Sequence, residues 1–442
     1  MAGSDPSGGA GIQSDLKTFA ALGVSGRSVI AALTAQNSLG VSETFDVPPQ
    51  TVLAQMDSVF DDTPPLAVKT GMLGDAQVVL ALADSLKVRR AKNLVVDPVF
   101  RSTSGKTLLS KEGVAAMIEH LLPQAVLVTP NLKEAEVLSE MRIKSSADRV
   151  KAARAILKKG PKAVLITGGH GKGDPVDTFC EEGRVHELVS ERIGGKVSVH
   201  GTGCVLSAAI AAHLAQGDDL LEAVTRAKQF INVAIVFSEC SGKGAPFANP
   251  MASLYREMER FDALNRVCAS IERLKGNDIG RLVPEVQSNI GYGLKLALNR
   301  DDVVGFPGRI TKIGNEIAVP APPCFGGSRH VADIVLTAMN FDREKRAVMN
   351  IKYEPRLIQI CKKLKLSIGS FDRADEPKKV KTKEGSSLEW GTASAIEAMG
   401  KVPDIIYDIG GFGKEEMIRV IANDMESLTD LILKIGKLYN AK

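Results

Sequence analysis

The sequence predicts an α/β protein, with a mainly parallel sheet covered by helices on both faces and a second α/β or α+β unit behind it. Two observations carry that prediction. Short apolar runs at 93–98, 125–130 and 162–168 end in turn or acidic residues and alternate with stretches of helical periodicity. Strands apolar on both faces belong inside a parallel sheet, whose ligands bind at the carboxyl ends of the strands. From about residue 276 the texture changes to Gly- and Pro-rich turns without clear strand and helix alternation.

Taken in chain order, the elements carry their own reasons. Gly8, Gly9 and Gly11 precede a helix that holds Asp15, so backbone N–H groups can approach an anion there, although a Gly-rich turn is by itself commonly just a turn. After the strand at 125–130, Asn131 and Glu134 stand three residues apart. They either face one side of a new helix and serve magnesium-bound water and phosphates, or form an ordinary N-cap pair, which is the commoner arrangement. Ala147, Val150, Ala153, Ile156 and Leu157 give 146–159 helical spacing. Gly201, Thr202, Gly203 and Cys204 then open an Ala-rich helix whose first N–H groups can converge on phosphoryl charge. At that helix start Cys204 is either a small core thiol or a thiolate base with a lowered pKa. Residues 251–275 look like a helical connector, which divides the chain into 1–250, a linker at 251–262, and 263–442.

Composition narrows the function class. Of 442 residues, 44% are hydrophobic and 24% charged, ordinary globular values that exclude a disordered tail or a collagen-like repeat. A net charge of +4 gives no nucleic-acid footprint, and 378–383, the basic cluster, reads as a solvated loop. No window approaches the ~18 apolar residues of a membrane span, and the first residues show no signal-peptide pattern. Six scattered cysteines without a Cys-x-x-Cys pair suit a reducing cytoplasm. The expected partners are small molecules, with neither nucleic acid nor membrane, and a homo-oligomer is compatible.

The order of the motifs says more than any one of them. GSDPSGGAGIQSDLKT, Ala35-Gln36-Asn37, Lys69-Thr70-Gly71-Met72-Leu73, Asp97-Pro98-Val99, TPNLKEAE from Thr129 and HGTGC from His200 together resemble the hydroxymethylpyrimidine kinase and phosphomethylpyrimidine kinase family, a branch of the ribokinase-like fold, over about 1–245. The resemblance implies two successive ATP-dependent phosphorylations with Mg2+. It puts Cys204 in the general-base position, Gly201, Thr202 and Gly203 in the anion hole, and Gln36, Asp15 and Gly3 at the pyrimidine. Asn131 and Glu134 serve nucleotide and metal, Glu134 through water, and Asp97 is a nearby acid. Family members carry a short apolar strand before the GSDPSGG turn, whereas only Met1 and Ala2 precede Gly3, so the strand is expected to be lost or the start to lie upstream. A pyridoxal-type kinase is a rival that Gln36 and the GTGC segment disfavour.

The second half carries SNIGY, FPGRI, FGGSRH, MNIKY, FDRADEP, EGSSLEWG and YDIGGFGKEEM in that order. Gly-rich turns with Arg, Lys and His describe a pocket for a phosphorylated ligand. Taken singly, Arg309 or Arg373 reads as a surface ion pair and His330 as a helix cap. Together the segments resemble the archaeal-type thiamine-phosphate synthase domain over about 262–442. The resemblance implies condensation of the pyrimidine diphosphate with hydroxyethylthiazole phosphate. Arg309 and His330 take the catalytic positions, with Asn289, Arg329, Lys352, Arg373 and Lys414 as phosphate or substrate contacts. The alternative is a non-catalytic module that senses thiamine phosphate, against which stands the lack of any helix-turn-helix segment or basic recognition face.

Overall fold

The computed structural model describes every residue except 103–104, 170–174, 191–198, 378–385, 412 and 442, so the basic cluster at 378–383 and Phe412 lie outside the described residues. The chain forms two compact units, Met1–Leu254 and Tyr255–Lys442.

In the first unit, β1 (Ala2–Ser4) leads through α1 (Gly11–Ala21) to β2 (Ile30–Asn37) and β3 (Gly40–Asp46). β1 pairs parallel with β2, and β2 antiparallel with β3. The first strand is therefore present, built from Ala2 and the opening residues of the GSDPSGG motif itself, which corrects the expectation that it is lost. Strand pairing uses backbone groups, which the motif supplies as well as any apolar run: Ala2 N–H donates to the Val29 carbonyl at 3.1 Å, and Gly71 N–H to the Met1 carbonyl at 2.9 Å.

The chain continues through α2 (Pro49–Asp62), β4 (Val68–Thr70), α3 (Ala76–Val88), β5 (Leu94–Val96), α4 (Lys111–Ala116), β6 (Leu127–Val128), α5 (Leu132–Ser139), α6 (Ser146–Leu157), β7 (Ala163–Ile166), β8 (Val176–Glu181) and β9 (Arg184–Val189). Strands β4 to β9 make a six-stranded sheet in sequence order, parallel as far as β7 and antiparallel beyond it. β4 to β7 are buried along their whole lengths, the burial that the apolar runs required. Helix starts follow their caps: Asp75 receives the first N–H groups of α3, Ser145 those of α6. α7 (Thr202–Gln216) and α8 (Leu220–Val236) pack on the opposite face from α3 and α5. All ten residues from Val205 to Leu214 are buried, so α7 is an interior helix.

Helix α9 (Ala252–Leu274) follows, so 251–262, expected as a linker, is helical from Ala252 onward. Arg256 and Arg260 pair with Asp302, and Glu259 with Arg346, all within the second unit. That unit contains β10 (Ile290–Gly293), β11 (Val303–Gly305), the hairpin β12 (Thr311–Ile313) and β13 (Glu316–Ala318), β14 (Cys324–Phe325), α10 (Arg329–Phe341), β15 (Ala347–Lys352), α11 (Pro355–Lys363), β16 (Ile368–Ser370), α12 (Ser386–Met399), β17 (Ile405–Asp408), β18 (Met417–Ala422) and α13 (Met425–Asn440). Its seven-stranded sheet runs β14-β11-β10-β15-β18-β17-β16, with only β16 and β17 paired in parallel. The α+β form is thus the one realised. Alternation splits the sheet into two cores: Tyr292, Met349 and Ile418 face α9 and α13, while Val348, Ile406 and Ile421 face α10 and α12.

Candidate active sites

Strands β4 to β7 bring their carboxyl ends to one rim. Lys69 in β4, with Asp97, Asn131 and Thr167 beyond the ends of β5, β6 and β7, lines a cavity of about 770 Å3. The N-terminus of α7 completes its wall. Gly201 sits at φ 79°, and a Cβ there would come 2.0 Å from the Gly9 carbonyl oxygen, so only glycine closes this turn. No side chain caps the helix, and the Val205 N–H already reaches the Gly201 carbonyl at 3.0 Å. That leaves the N–H groups of Thr202, Gly203 and Cys204 without helical acceptors, an arrangement that together with the helix dipole suits an anion.

Facing this turn is a buried ion pair that sequence reasoning did not assign. Lys69 Nζ donates to both carboxylate oxygens of Asp15, at 2.8 and 2.9 Å. Burial alone would lower the ammonium, but Asp15, then Cys204 and Asp97, hold it above the ordinary lysine value. Lys69 lines the cavity, whereas Asp15 stands behind it and lines a separate pocket, so Asp15 is the one expected pyrimidine contact that does not reach the cavity wall. The physical reason is the pair itself, which turns the carboxylate toward the interior cation. Gly3 and Gln36 do line the cavity, and Gln36 Nε2 lies 3.1 Å from His200 Nε2. His200 in turn packs edge-on against Phe247, ring centroids 5.6 Å apart.

Cys204 corrects a second expectation. Its place at a helix start argued for a lowered thiol pKa, yet burial pushes the thiol up to about 12, with Asp97 and Asp15 adding to the effect and Lys69 and the Gly11 N–H opposing it. A helix end contributes a partial charge, and here desolvation beside two carboxylates outweighs it. Asp97 is itself raised by burial against Lys69 and Ser207, whose hydroxyl donates to it at 3.0 Å.

Asn131 and Glu134 form the capping box that was the commoner reading: Asn131 Oδ1 accepts from the Lys133 and Glu134 N–H groups, and Glu134 Oε2 from the Asn131 N–H at 2.8 Å. Both also line the cavity. Burial, then Asp97, pushes Glu134 up to about 8. The cap and the cavity wall are thus one structure.

In the second unit, strand register gathers all the expected residues at one end of the sheet. Asn289 precedes β10, Arg309 follows β11, Lys352 ends β15, Arg373 follows β16, and Lys414 lies between β17 and β18. A Cβ on Gly305, at the end of β11, would lie 3.0 Å from Ser328, so the chain there runs close to the start of α10, whose first turn exposes Arg329 and His330. Arg309 holds a left-handed conformation, φ 61°, between anchors on both sides: Ser288 and Ile310 exchange backbone hydrogen bonds at 3.1 and 2.7 Å, and its guanidinium donates to the Val286 carbonyl. The surrounding bonds thus hold a non-glycine residue in a conformation that carries a steric cost.

Two expected contacts also hold the fold together. Asn289 donates to the Phe306 carbonyl at 2.7 Å and accepts from the Ile290 and Phe306 N–H groups. Lys352 donates to the Tyr439 hydroxyl at 2.9 Å and pairs with Glu354 at 2.6 Å. Both fasten strands, Asn289 with one of its two amide donors and Lys352 with two of its three ammonium donors. Sequence reasoning also passed over Asp408, which pairs with Arg373, and Arg419, which shares that carboxylate. Asp408 stood in view within YDIGG, without any local signal that an arginine eleven residues on would share it.

The sequence model of the phosphomethylpyrimidine kinase family matches residues 5–248, and that of thiamine-phosphate synthase ThiN matches residues 264–434. Over its whole length the chain is similar to the bifunctional thiamine biosynthesis protein ThiDN of Methanocaldococcus jannaschii, 35% identical over 444 residues that cover 100% of this chain and 98% of that one. The hydroxymethylpyrimidine/phosphomethylpyrimidine kinase of Rhizobium meliloti is 50% identical over 237 residues, 53% of this chain and 88% of that protein. Among solved structures, the ADP complex of Bacillus subtilis pyridoxal kinase is similar at 36% identity and TM-score 0.53, covering 57% of this chain and 96% of that one.

Proposed function

The chain belongs to the family of bifunctional thiamine biosynthesis proteins that join a phosphomethylpyrimidine kinase to a thiamine-phosphate synthase, and from that premise we propose how its own residues divide the work. The first unit phosphorylates hydroxymethylpyrimidine and then its monophosphate. The second condenses the resulting diphosphate with hydroxyethylthiazole phosphate, giving thiamine monophosphate and pyrophosphate. A purely sensing second unit is not favoured, because the relative that matches from end to end is itself a bifunctional biosynthesis protein.

In the kinase unit the turn Gly201–Thr202–Gly203 receives the transferring phosphoryl group, and Lys69 adds a fixed positive charge beside it. Gln36, with His200 behind it, reads the polar edge of the pyrimidine. In the first step the substrate alcohol must lose its proton as it attacks phosphorus, and Cys204 is the acceptor; in the second the attacking phosphate oxygen is already an anion. Magnesium fits this cavity, since Glu134 and Asp97 are two neighbouring carboxylates that burial holds above their usual range and that a divalent cation would discharge. Glu134 would hold it through water, and when bound it neutralises phosphate charge on ATP.

In the synthase unit the pyrimidine amino group stabilises the methylene cation left when pyrophosphate departs, so the protein's task is to neutralise the leaving group. Arg309, Arg329 and Lys414 supply donors around it, and His330 can pass it a proton. The carrying observation is the convergence of these residues, 105 positions apart in sequence from Arg309 to Lys414, at one end of one sheet. A coupled assay with hydroxymethylpyrimidine, thiazole phosphate, ATP and magnesium tests the whole assignment. Thiamine monophosphate is the expected product, and accumulation of the diphosphate alone would overturn the synthase half. A cytoplasmic setting is part of the same proposal, resting on six free cysteines.

A further inference from the structure

Beneath Arg373 lies a charged cluster that the synthase reading leaves unexplained. Asp408, at the end of β17, is fully buried and is its hub. Arg373 Nε and Nη2 donate to its two oxygens at 2.6 and 3.3 Å, Arg419 Nη2 reaches Oδ2 at 2.7 Å, and the Gly410 N–H donates to Oδ1 at 3.0 Å. Arg419, 2% exposed, keeps a buried Nη1 with no hydrogen-bond partner among the described residues. Gly410 is left-handed, φ 78°, and a Cβ there would meet the Lys414 carbonyl oxygen at 2.7 Å. By fixing Gly410, Asp408 also fixes the turn in which Gly411 and Lys414 exchange backbone hydrogen bonds at 3.1 and 2.9 Å.

Among the described residues the charges do not balance. Two guanidiniums share one carboxylate, while Lys414 stands 4.0 Å from Glu376 and offsets it. Burial, with Arg373 adding to it, holds the Arg419 guanidinium below its ordinary value in spite of Asp408. A buried surplus of positive charge with an unmet donor is costly unless an anion completes it. The cluster is also tied to the catalytic loop. Glu415, next to Lys414, accepts the N–H groups of Glu285 and Val286 at 2.9 Å each, and Val286 is the residue whose carbonyl receives Arg309.

We propose that Arg373 and Arg419, with Gly410, Gly411 and Lys414, form the cradle for the diphosphate of the pyrimidine substrate, and that Asp408 is the positioning residue that holds the two arginines and Gly410 in place. The assignment rests on the synthase reading and deepens it. Two guanidiniums and an ammonium match the larger charge of a diphosphate better than that of the thiazole monoester, and it is the diphosphate that must leave.

Trp390, the chain's single tryptophan, packs edge-on against Phe371 at 6.1 Å, and Phe371 lies 5.6 Å from the Arg373 guanidinium carbon and 5.2 Å from that of Arg419. Its fluorescence in the full chain therefore reports the cluster directly. Inorganic pyrophosphate is expected to change that emission saturably, to compete with the pyrimidine diphosphate, and to bind more tightly than orthophosphate. Asp408→Asn and Arg373→Met should each weaken pyrophosphate and raise KM for the diphosphate by about tenfold or more, with a smaller effect on kcat, while Arg373→Lys recovers part of the loss. Kinase activity should stay as in the wild type. Orthophosphate binding as tightly as pyrophosphate, or an unchanged KM in Asp408→Asn, would overturn the cradle. Should Asp408→Asn alter the unliganded emission, the contrast between Arg373→Met and Arg373→Lys decides instead, a smaller loss in Arg373→Lys than in Arg373→Met supporting the cradle and no loss in either overturning it. A wild-type chain that binds pyrophosphate this way yet makes no thiamine phosphate would overturn the synthase reading and leave the cradle standing.

Discussion

Cys204 and Lys69 make opposite demands on one small volume. A thiolate at Cys204 is opposed by burial and by two carboxylates and favoured by Lys69, and the balance leaves a thiol at about 12. Below that value the thiolate fraction grows tenfold for each pH unit. If the thiolate accepts the alcohol proton, the first phosphorylation should therefore climb steadily between about pH 6 and 9 without a plateau, while the second, which needs no base, stays flat. Cys204→Ala should cost the first step about 100-fold or more and the second far less. Single-turnover rates with alcohol and monophosphate substrates check both statements, and a flat first step would remove the base role. Lys69→Met leaves Asp15 as an unpaired buried carboxylate, which should destabilise the first unit by about 3–5 kcal/mol. The kinase thermal transition is the measurement. Because the pair is buried at 1% and 6% side-chain exposure, added salt should not rescue it.

At the scale of elements, the turn into α7 is the part of the kinase site least able to absorb change. Gly201→Ala requires a left-handed alanine whose Cβ overlaps the Gly9 carbonyl, so the helix start must move away from the cavity. Both phosphorylations should fall together, by about tenfold or more, since both place a phosphoryl group on the same N–H groups. A loss confined to the first step would mean that the turn does not bind the transferring group. These elements were also the most legible in sequence. The fully apolar runs became β5, β6 and β7, the Asn131 and Glu134 spacing became a capping box, and the Gly-Thr-Gly-Cys segment became the start of a buried helix, because each depends on residues a few positions apart. What stayed hidden depends on distant partners. Nothing near Asp15 foretells Lys69, 54 residues on, and nothing near Asp408 foretells that Arg419 comes beside it only through the pairing of β17 with β18. Cys204 was read from its helix end alone, and the desolvation that decides its pKa is a property of packing. The strand-fastening bonds of Asn289 and Lys352 stayed hidden for the same reason: they run to Phe306 and Tyr439, which no local pattern links to them.

For the whole molecule, the question is whether one chain holds two independent catalysts. Each unit has its own cores, with no residue shared between the clusters of the first and those of the second. Arg309 lies in the second unit, exposed, with its guanidinium on a backbone carbonyl, so truncating it removes charge from the synthase site without opening a cavity in any core. Arg309→Ala should abolish thiamine phosphate formation while both kinase steps proceed at wild-type rates, and the pyrimidine diphosphate should accumulate. Cys204→Ala should give the mirror result: synthesis proceeds normally when the diphosphate is supplied, and stops when the alcohol is the only pyrimidine source. Mixing the two purified variants completes the argument. If the diphosphate passes freely through solution, the mixture regains synthesis from the alcohol after a lag set by the concentration of the intermediate. Recovery well short of that level, with each variant fully active in its own remaining half, would show that the chain hands the diphosphate from one site to the other without releasing it. A fall in kinase turnover on Arg309→Ala alone would instead show that the two sites are energetically coupled, since no contact within the first unit's cores is altered by the change.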